Sequence, residues 1–90
     1  TEPYALILAR SASRAIAEDL PEVVATAAVD FVTTALIDNP HRVGRKLRNE
    51  LAGIYSARRG SYRVLYRIEE KTRSVVILRV DHRRSAYRRR

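Results

Sequence analysis

Residues Gly53 to Tyr66 read GIYSARRGSYRVLY, and the chain closes with HRRSAYRRR from His82 to Arg90. These stretches gather arginines, tyrosines and one histidine. Arginine carries a planar fork that stays charged at any physiological pH and matches phosphate. A tyrosine ring stacks on an unpaired base, worth about 1–3 kcal/mol in single-strand binders. Histidine titrates near neutrality and can move a proton. Basic residues interleaved with aromatics favour RNA or single strands over duplex DNA. A solvated basic surface is the plainer reading that the same residue types allow.

The charge distribution sharpens this. The chain has 90 residues and a formal net charge of +8. Residues 1–40 hold two basic residues, Arg10 and Arg14, against six acidic ones, a net of −4. Residues 41–90 hold sixteen Lys or Arg against four acidic residues, a net of +12. Charge confined to one half makes a directed field that attracts polyanions or an acidic partner. Only Lys46 and Lys71 among the basic residues are lysines. Codon bias in a GC-rich genome accounts for part of the arginine preference but not for the asymmetry. There is no cysteine, hence no disulfide framework or thiolate site. The two histidines lie 41 positions apart among scattered carboxylates, so no metal and no cofactor is expected. No run approaches the roughly 18 apolar residues of a membrane span, and no secretory leader is visible. The expectation is one small soluble domain in the cytoplasm, with no membrane partner.

Such a surface needs elements to hold it. Tyr4-Ala-Leu-Ile-Leu8 reads as a buried first strand. Ser11 or Ser13 can cap a short helix reaching about Leu20. Pro21 opens a second helix, from Glu22 to Asp38. There Val23, Ala27, Phe31 and Ala35 form one row, and Val24, Ala28, Val32 and Leu36 the next, a stripe wide enough to cover a sheet. Asn39-Pro40 stops that helix. Residues 41–52 have no clean period and read as a connecting loop with partial strand character, anchored by Leu47 and Leu51. Ile54 to Arg58, Tyr62 to Ile68 and Ser74 to Val80 read as strands, with Gly60 in a tight hairpin turn. The third is apolar at nearly every position and is expected to lie centrally. The order β-α-α-β-β-β describes an α+β domain: a small antiparallel-type sheet with a two-helix hairpin on one face.

Alternation assigns the faces. Tyr62, Val64, Tyr66 and Ile68 point to the helices, which leaves Arg63 and Arg67 on the open face. On the preceding strand, Tyr55 and Arg59 share that open face if Ile54 faces the core. A bulge near the turn puts Arg58 there instead, and alternation does not decide between the two. The open face is expected to form a groove bordered by the 41–52 loop, carrying Lys46 and Arg48, and by the 82–90 tail. His41 reads as a loop or capping residue.

The segments NPHRVGRKLRNELAG (Asn39–Gly53), YSARRGSYRVLYRI (Tyr55–Ile68) and VDHRRSAY (Val80–Tyr87) resemble the RelE toxins of bacterial toxin–antitoxin pairs. The chain is most similar to the actinobacterial branch of the RelE/ParE superfamily. The resemblance covers nearly the whole chain, and it implies a small ribonuclease that cuts mRNA in the ribosomal A site. It makes Arg63 a transition-state phosphate contact, and Arg83, with Arg84 as rival, a second one. Tyr87 would stack on the substrate base and take part in proton transfer, and His82 falls where some relatives carry a functional histidine. Arg58 matches a key basic position, while Ser56 replaces a family lysine. Glu50 is out of register with the glutamate one branch uses as a base. The expected partners are the 70S ribosome with its mRNA and an acidic, RelB-like antitoxin. ParE members share the fold but inhibit DNA gyrase, so gyrase inhibition is the alternative, and a non-catalytic nucleic-acid-binding module is a third.

Overall fold

The computed structural model describes residues 2–82, so Arg83, Arg84 and Tyr87 lie outside the described residues. Strand β1 (Ala5–Leu8) leads into helix α1 (Arg10–Arg14), which widens into a π-helical turn over Ala15–Asp19. Helix α2 (Glu22–Phe31) ends similarly, in a π turn over Val32–Leu36. A single helical turn, α3 (Pro40–Val43), precedes β2 (Arg45–Lys46), a 3-10 turn at Asn49–Leu51, and the strands β3 (Ile54–Arg59), β4 (Tyr62–Glu69) and β5 (Ser74–His82). The five strands form one sheet in the order β1-β5-β4-β3-β2. The expected α+β architecture holds. Pairing is antiparallel from β5 to β2, and β1 adds to the far edge in parallel with β5.

Several local expectations need correction. Strand β1 is not buried: it forms an edge, Ile7 and Leu8 are exposed, and the core residue of the segment is Tyr4. Neither serine caps α1; the helix starts at Arg10 behind an extended Ala9, with no side-chain cap. The apolar stripe of α2 is narrower than two rows. Val24, Ala28, Phe31, Val32 and Leu36 are buried, whereas Ala27 and Ala35 are exposed and Val23 is 80% exposed. A sheet takes one side of a helix only, so the outer row meets water. The hydroxyls of Thr33 and Thr34 donate back to the carbonyls of Val29 and Asp30, at 2.7 and 2.6 Å, where the helix loosens into its π turn. Leu51 is exposed and is no anchor; Val43 and Leu47 are the half-buried apolar side chains of that segment.

Core residues converge from both layers: Leu20, Val24, Phe31 and Leu36 from the helices, and Val64, Tyr66, Val75, Ile77 and Val80 from the sheet. Strand β5 is interior, as expected, but its face pattern shifts phase partway. Tyr66 pairs with Ile77, whereas Leu65 pairs with Arg79, so Leu78 is an extra residue in a β-bulge. The bulge reconciles the sequence with the sheet. Val75 and Ile77 face the core at a spacing of two, and the next core residue, Val80, follows at three. An unbulged strand would turn Arg79 and Asp81 inward.

Candidate phosphate-binding groove

Residues directly opposite in neighbouring strands share a face of the sheet. Arg58 pairs with Arg63, Ser56 with Leu65, and Arg45 with Ser56. Arg45, Ser56, Arg58 and Arg63 therefore lie together on the face away from the helices. They line an open groove of about 560 Å³ with Val43, Gly44, Leu47 and Ala57. Among the described residues no carboxylate lines it, although Asp81 stands directly opposite Arg63 in the β4–β5 ladder, where it pairs with Arg79.

The open face carries two further arginines that are neutralised locally. Arg67 donates to Glu69 at 2.6 Å, and Arg79 to Asp81 at 3.0 Å. Among the described residues, none of the ion pairs involves Arg45, Arg58 or Arg63. Like charges directly opposite across a ladder destabilise it. The juxtaposed Arg58 and Arg63 thus make a place where an anion relieves repulsion, and charge-assisted bonds to a phosphate are the strong kind.

The scaffold behind the groove is anchored in the core. Tyr66 is fully buried at the centre of β4, and its hydroxyl donates to the Pro40 carbonyl at 2.7 Å. Burial pushes the Tyr66 phenol up to about 12, so it is a neutral donor throughout the physiological range. That hydroxyl sits directly against Gly44, where a β-carbon has no room. The contact seats the turn that delivers β2, and the Leu47 amide then donates to the Ile54 carbonyl at 2.9 Å.

The sequence-derived site residues divide by face. Arg58 and Arg63 come together in the groove. Tyr55 and Arg59 do not belong to the open face: they pair with Tyr66 and Tyr62 on the helix side. Tyr55 is buried, stacked on Tyr66 with ring centroids 5.4 Å apart, so its ring is unavailable to a base. The Arg59 guanidinium lies 4.6 Å from the centre of the Phe31 ring. Lys46 pairs with Tyr55 and shares its face, and Arg48 is exposed without lining the groove. His82 pairs with Tyr62, which puts it across the sheet from Arg63 rather than beside it. The bulge at Leu78 causes this, because it reverses the alternation of everything after it. Arg83 and Tyr87 lie outside the described residues.

Sequence reasoning missed Arg45, because a two-residue strand is too short to alternate. It also missed a polar cluster at the opposite end of the helix-side face. His41 Nε2 binds Glu70 at 2.5 Å, Tyr4 donates to the same carboxylate oxygen at 2.8 Å, and His41 Nδ1 lies 3.3 Å from the Tyr55 hydroxyl. The bonds from His41 and Tyr4 hold the Glu70 carboxyl below its usual range. Arg73 stacks over Tyr4, 4.2 Å from the ring centre. With both imidazole nitrogens engaged, the cluster ties the N-terminal segment, α3 and the β4–β5 turn together.

A five-stranded sheet backed by a helical hairpin is also the fold of solved RelE toxin structures. The structure superposes on a chain of the intact E. coli RelBE toxin–antitoxin complex with a TM-score of 0.74 at 20% identity, covering 88% of this chain and 95% of that one. A family model described as the ParE toxin of the type II toxin–antitoxin system parDE matches residues 8–87, and the chain belongs to this family of RelE/ParE toxins. Toxin RelG of Mycobacterium tuberculosis is 49% identical over 97% of this chain and 99% of its own length. Toxin RelE of the same organism is 44% identical over 96% of this chain and 88% of its own length. The toxin–antitoxin complex RelBE2 from M. tuberculosis contains a chain matched with a TM-score of 0.86 at 49% identity, over 91% of this chain and all of that one. The protein is a toxin of the type II toxin–antitoxin class.

Proposed function

We propose that this toxin is an endoribonuclease that cuts mRNA in the ribosomal A site. The observation that carries the reading is the pair Arg58 and Arg63, cross-strand neighbours in a groove that no carboxylate lines among the described residues. In the reaction, the ribose 2′-oxygen attacks the adjacent phosphorus and the bond to the 5′-oxygen breaks. The products are a 2′,3′-cyclic phosphate and a 5′-hydroxyl. One proton leaves the 2′-hydroxyl and one is delivered to the departing oxygen. The extra negative charge of the pentacoordinate phosphorane is what two preorganised guanidinium groups stabilise. The ribosome supplies much of the in-line geometry by holding the mRNA. Arg83 extends the cationic set, with Arg84 as rival, and Tyr87 serves as stacking and proton-transfer group. These last assignments rest on the sequence resemblance.

His82 is set aside as the proton carrier, since it shares the face of Tyr62. A weak base still leaves an enzyme, because general acid–base catalysis contributes about 10²–10⁴-fold on top of positioning. The cognate partner is an acidic, RelB-like antitoxin that covers the basic face. The RelBE2 toxin–antitoxin complex supports that assignment, since one of its chains is 49% identical to this chain.

Gyrase inhibition is the second reading: the sequence resemblance attaches it to ParE members, and the matched family model is described as a ParE toxin. One experiment separates them. The wild type, Arg63→Ala and Tyr87→Phe are expressed in turn, and mRNA 5′ ends are mapped. Codon-phased cuts in the wild type, reduced at least 100-fold in Arg63→Ala, are expected. Growth arrest with DNA-damage signals and no phased cuts would overturn the nuclease reading in favour of gyrase. Neither toxicity nor cutting would leave a binding module.

A further inference from the structure

We infer that Arg45 is a third phosphate-binding residue of the groove, holding the RNA phosphate next to the one gripped by Arg58 and Arg63. The inference rests on the RNA-binding reading of the groove and adds to it a residue outside the β3–β4 hairpin.

Three observations converge. Arg45 sits opposite Ser56 in the β2–β3 ladder and lines the groove with Arg58 and Arg63. Unlike Arg67 and Arg79 it is in none of the ion pairs among the described residues, and unlike Arg63, which has Asp81 directly opposite in the β4–β5 ladder, it faces the uncharged Ser56. Its backbone is fixed by more than a loop. Gly44, immediately before it, is pressed against the buried Tyr66 hydroxyl, and that hydroxyl holds the Pro40 carbonyl. The Leu47 amide two residues on is bonded to Ile54. A long cationic side chain on an edge strand normally samples solvent; here its base is clamped at both ends.

The spacing suits a neighbouring phosphate. Arg58 lies two residues along β3 from Ser56, so Arg45 and Arg58 are diagonal cross-strand neighbours, with β-carbons about 7–8 Å apart. Arg58 and Arg63 are directly opposite, about 5 Å apart. The closer pair can share one phosphate while Arg45 reaches the next along the strand. Ser56, between them, is small and neutral and leaves the guanidinium room to swing into the groove.

A phosphate contact has a signature that a structural role lacks: it releases a counterion and steepens the salt dependence of binding. The test uses 70S ribosomes programmed with an mRNA carrying a 2′-deoxy A-site codon, so that the full-length toxin binds without cutting. Affinity is measured from about 50 to 200 mM salt. Arg45→Ala is expected to weaken binding and flatten the log–log slope by about 0.7–0.9, while Arg45→Lys keeps the slope. Adding Ser56→Lys to Arg45→Ala returns a cation to the same face and is expected to restore the slope. Arg10→Ala, on α1 and outside the groove, is the control and leaves it unchanged. Circular dichroism confirms folding of each variant.

An unchanged slope in Arg45→Ala, with a flattened slope in Arg63→Ala, would overturn the inference and spare the groove. A slope indifferent to both substitutions, or no binding by the wild type, would overturn the groove reading and this inference with it. Loss of affinity at constant slope, unrescued by Ser56→Lys, would make Arg45 a packing residue.

Discussion

At the scale of single residues, the groove depends on contacts that lie behind it. Tyr66 does two things: its ring fills the core, and its hydroxyl fixes the turn that presents Arg45. Tyr66→Phe leaves the Pro40 carbonyl without its partner and is expected to cost about 1–3 kcal/mol, read from the urea midpoint at constant m. Gly44→Ala forces a methyl group against the same hydroxyl and is expected to cost a similar amount by overpacking, about 1–3 kcal/mol. The double variant should lose less than the sum, because removing the hydroxyl removes much of the clash. Strict additivity would show that Gly44 and Tyr66 do not share the contact. The phenol also sets an alkaline limit. Its folded value is raised, so the stability it contributes is fully present below the ordinary tyrosine value near 10 and is lost as pH rises towards about 12. Ultraviolet titration of the tyrosines should show one group ionising last, and Tyr66→Phe should abolish that step.

At the scale of elements, two features decide which side chains reach the open face. One is the bulge at Leu78, which keeps Val80 in the core while turning Arg79 and Asp81 outward and His82 towards the helices. The other is the packing of α2. Its buried row runs through Val24, Ala28, Phe31 and Leu36, with Phe31 touching Tyr62 edge-on at 6.5 Å. Adjacent valines should therefore behave differently. Val24→Ala is expected to cost roughly 1–3 kcal/mol by loss of buried methyl groups, whereas Val23→Ala should stay within about 0.5 kcal/mol. Equal costs in thermal unfolding would restore the wider two-row stripe. The hairpin was legible because ARRGSY combines arginine-flanked strand ends with a glycine, and Gly60 does adopt a positive φ of 54°. The faces of β3 were not, because Tyr55, Ala57 and Arg59 alternate as plausibly outward as inward until the register with β4 is known.

At the scale of the molecule, the charge split maps onto the two layers. Helices α1 and α2 come from the half with net charge −4, and strands β2 to β5 from residues 41–82, which hold eleven basic and four acidic residues, a net of +7. Such a dipole steers an anionic partner to the sheet before contact. For the proposed acidic antitoxin, the association rate should fall steeply with ionic strength while dissociation changes little. Stopped-flow mixing at several salt concentrations tests this, and a salt-independent association rate would place the antitoxin away from the basic face. Arg63→Ala should lower the association rate as well, since the groove is the bare part of that surface.

The sequence by itself determined the charge asymmetry, the helical hairpin, four of the five sheet strands and the outward placement of Arg63. Each follows from local composition or from a period of two or four residues. Only the tertiary structure decided the partners across each ladder. It withdrew Tyr55, Arg59 and His82 from the open face, chose Arg58, and brought in Arg45 from a segment with no period at all. The physical reason is register. Moving a strand by one residue exchanges its two faces, and the pairing of β2 with β3 and the bulge in β5 are settled by packing between segments far apart in the chain.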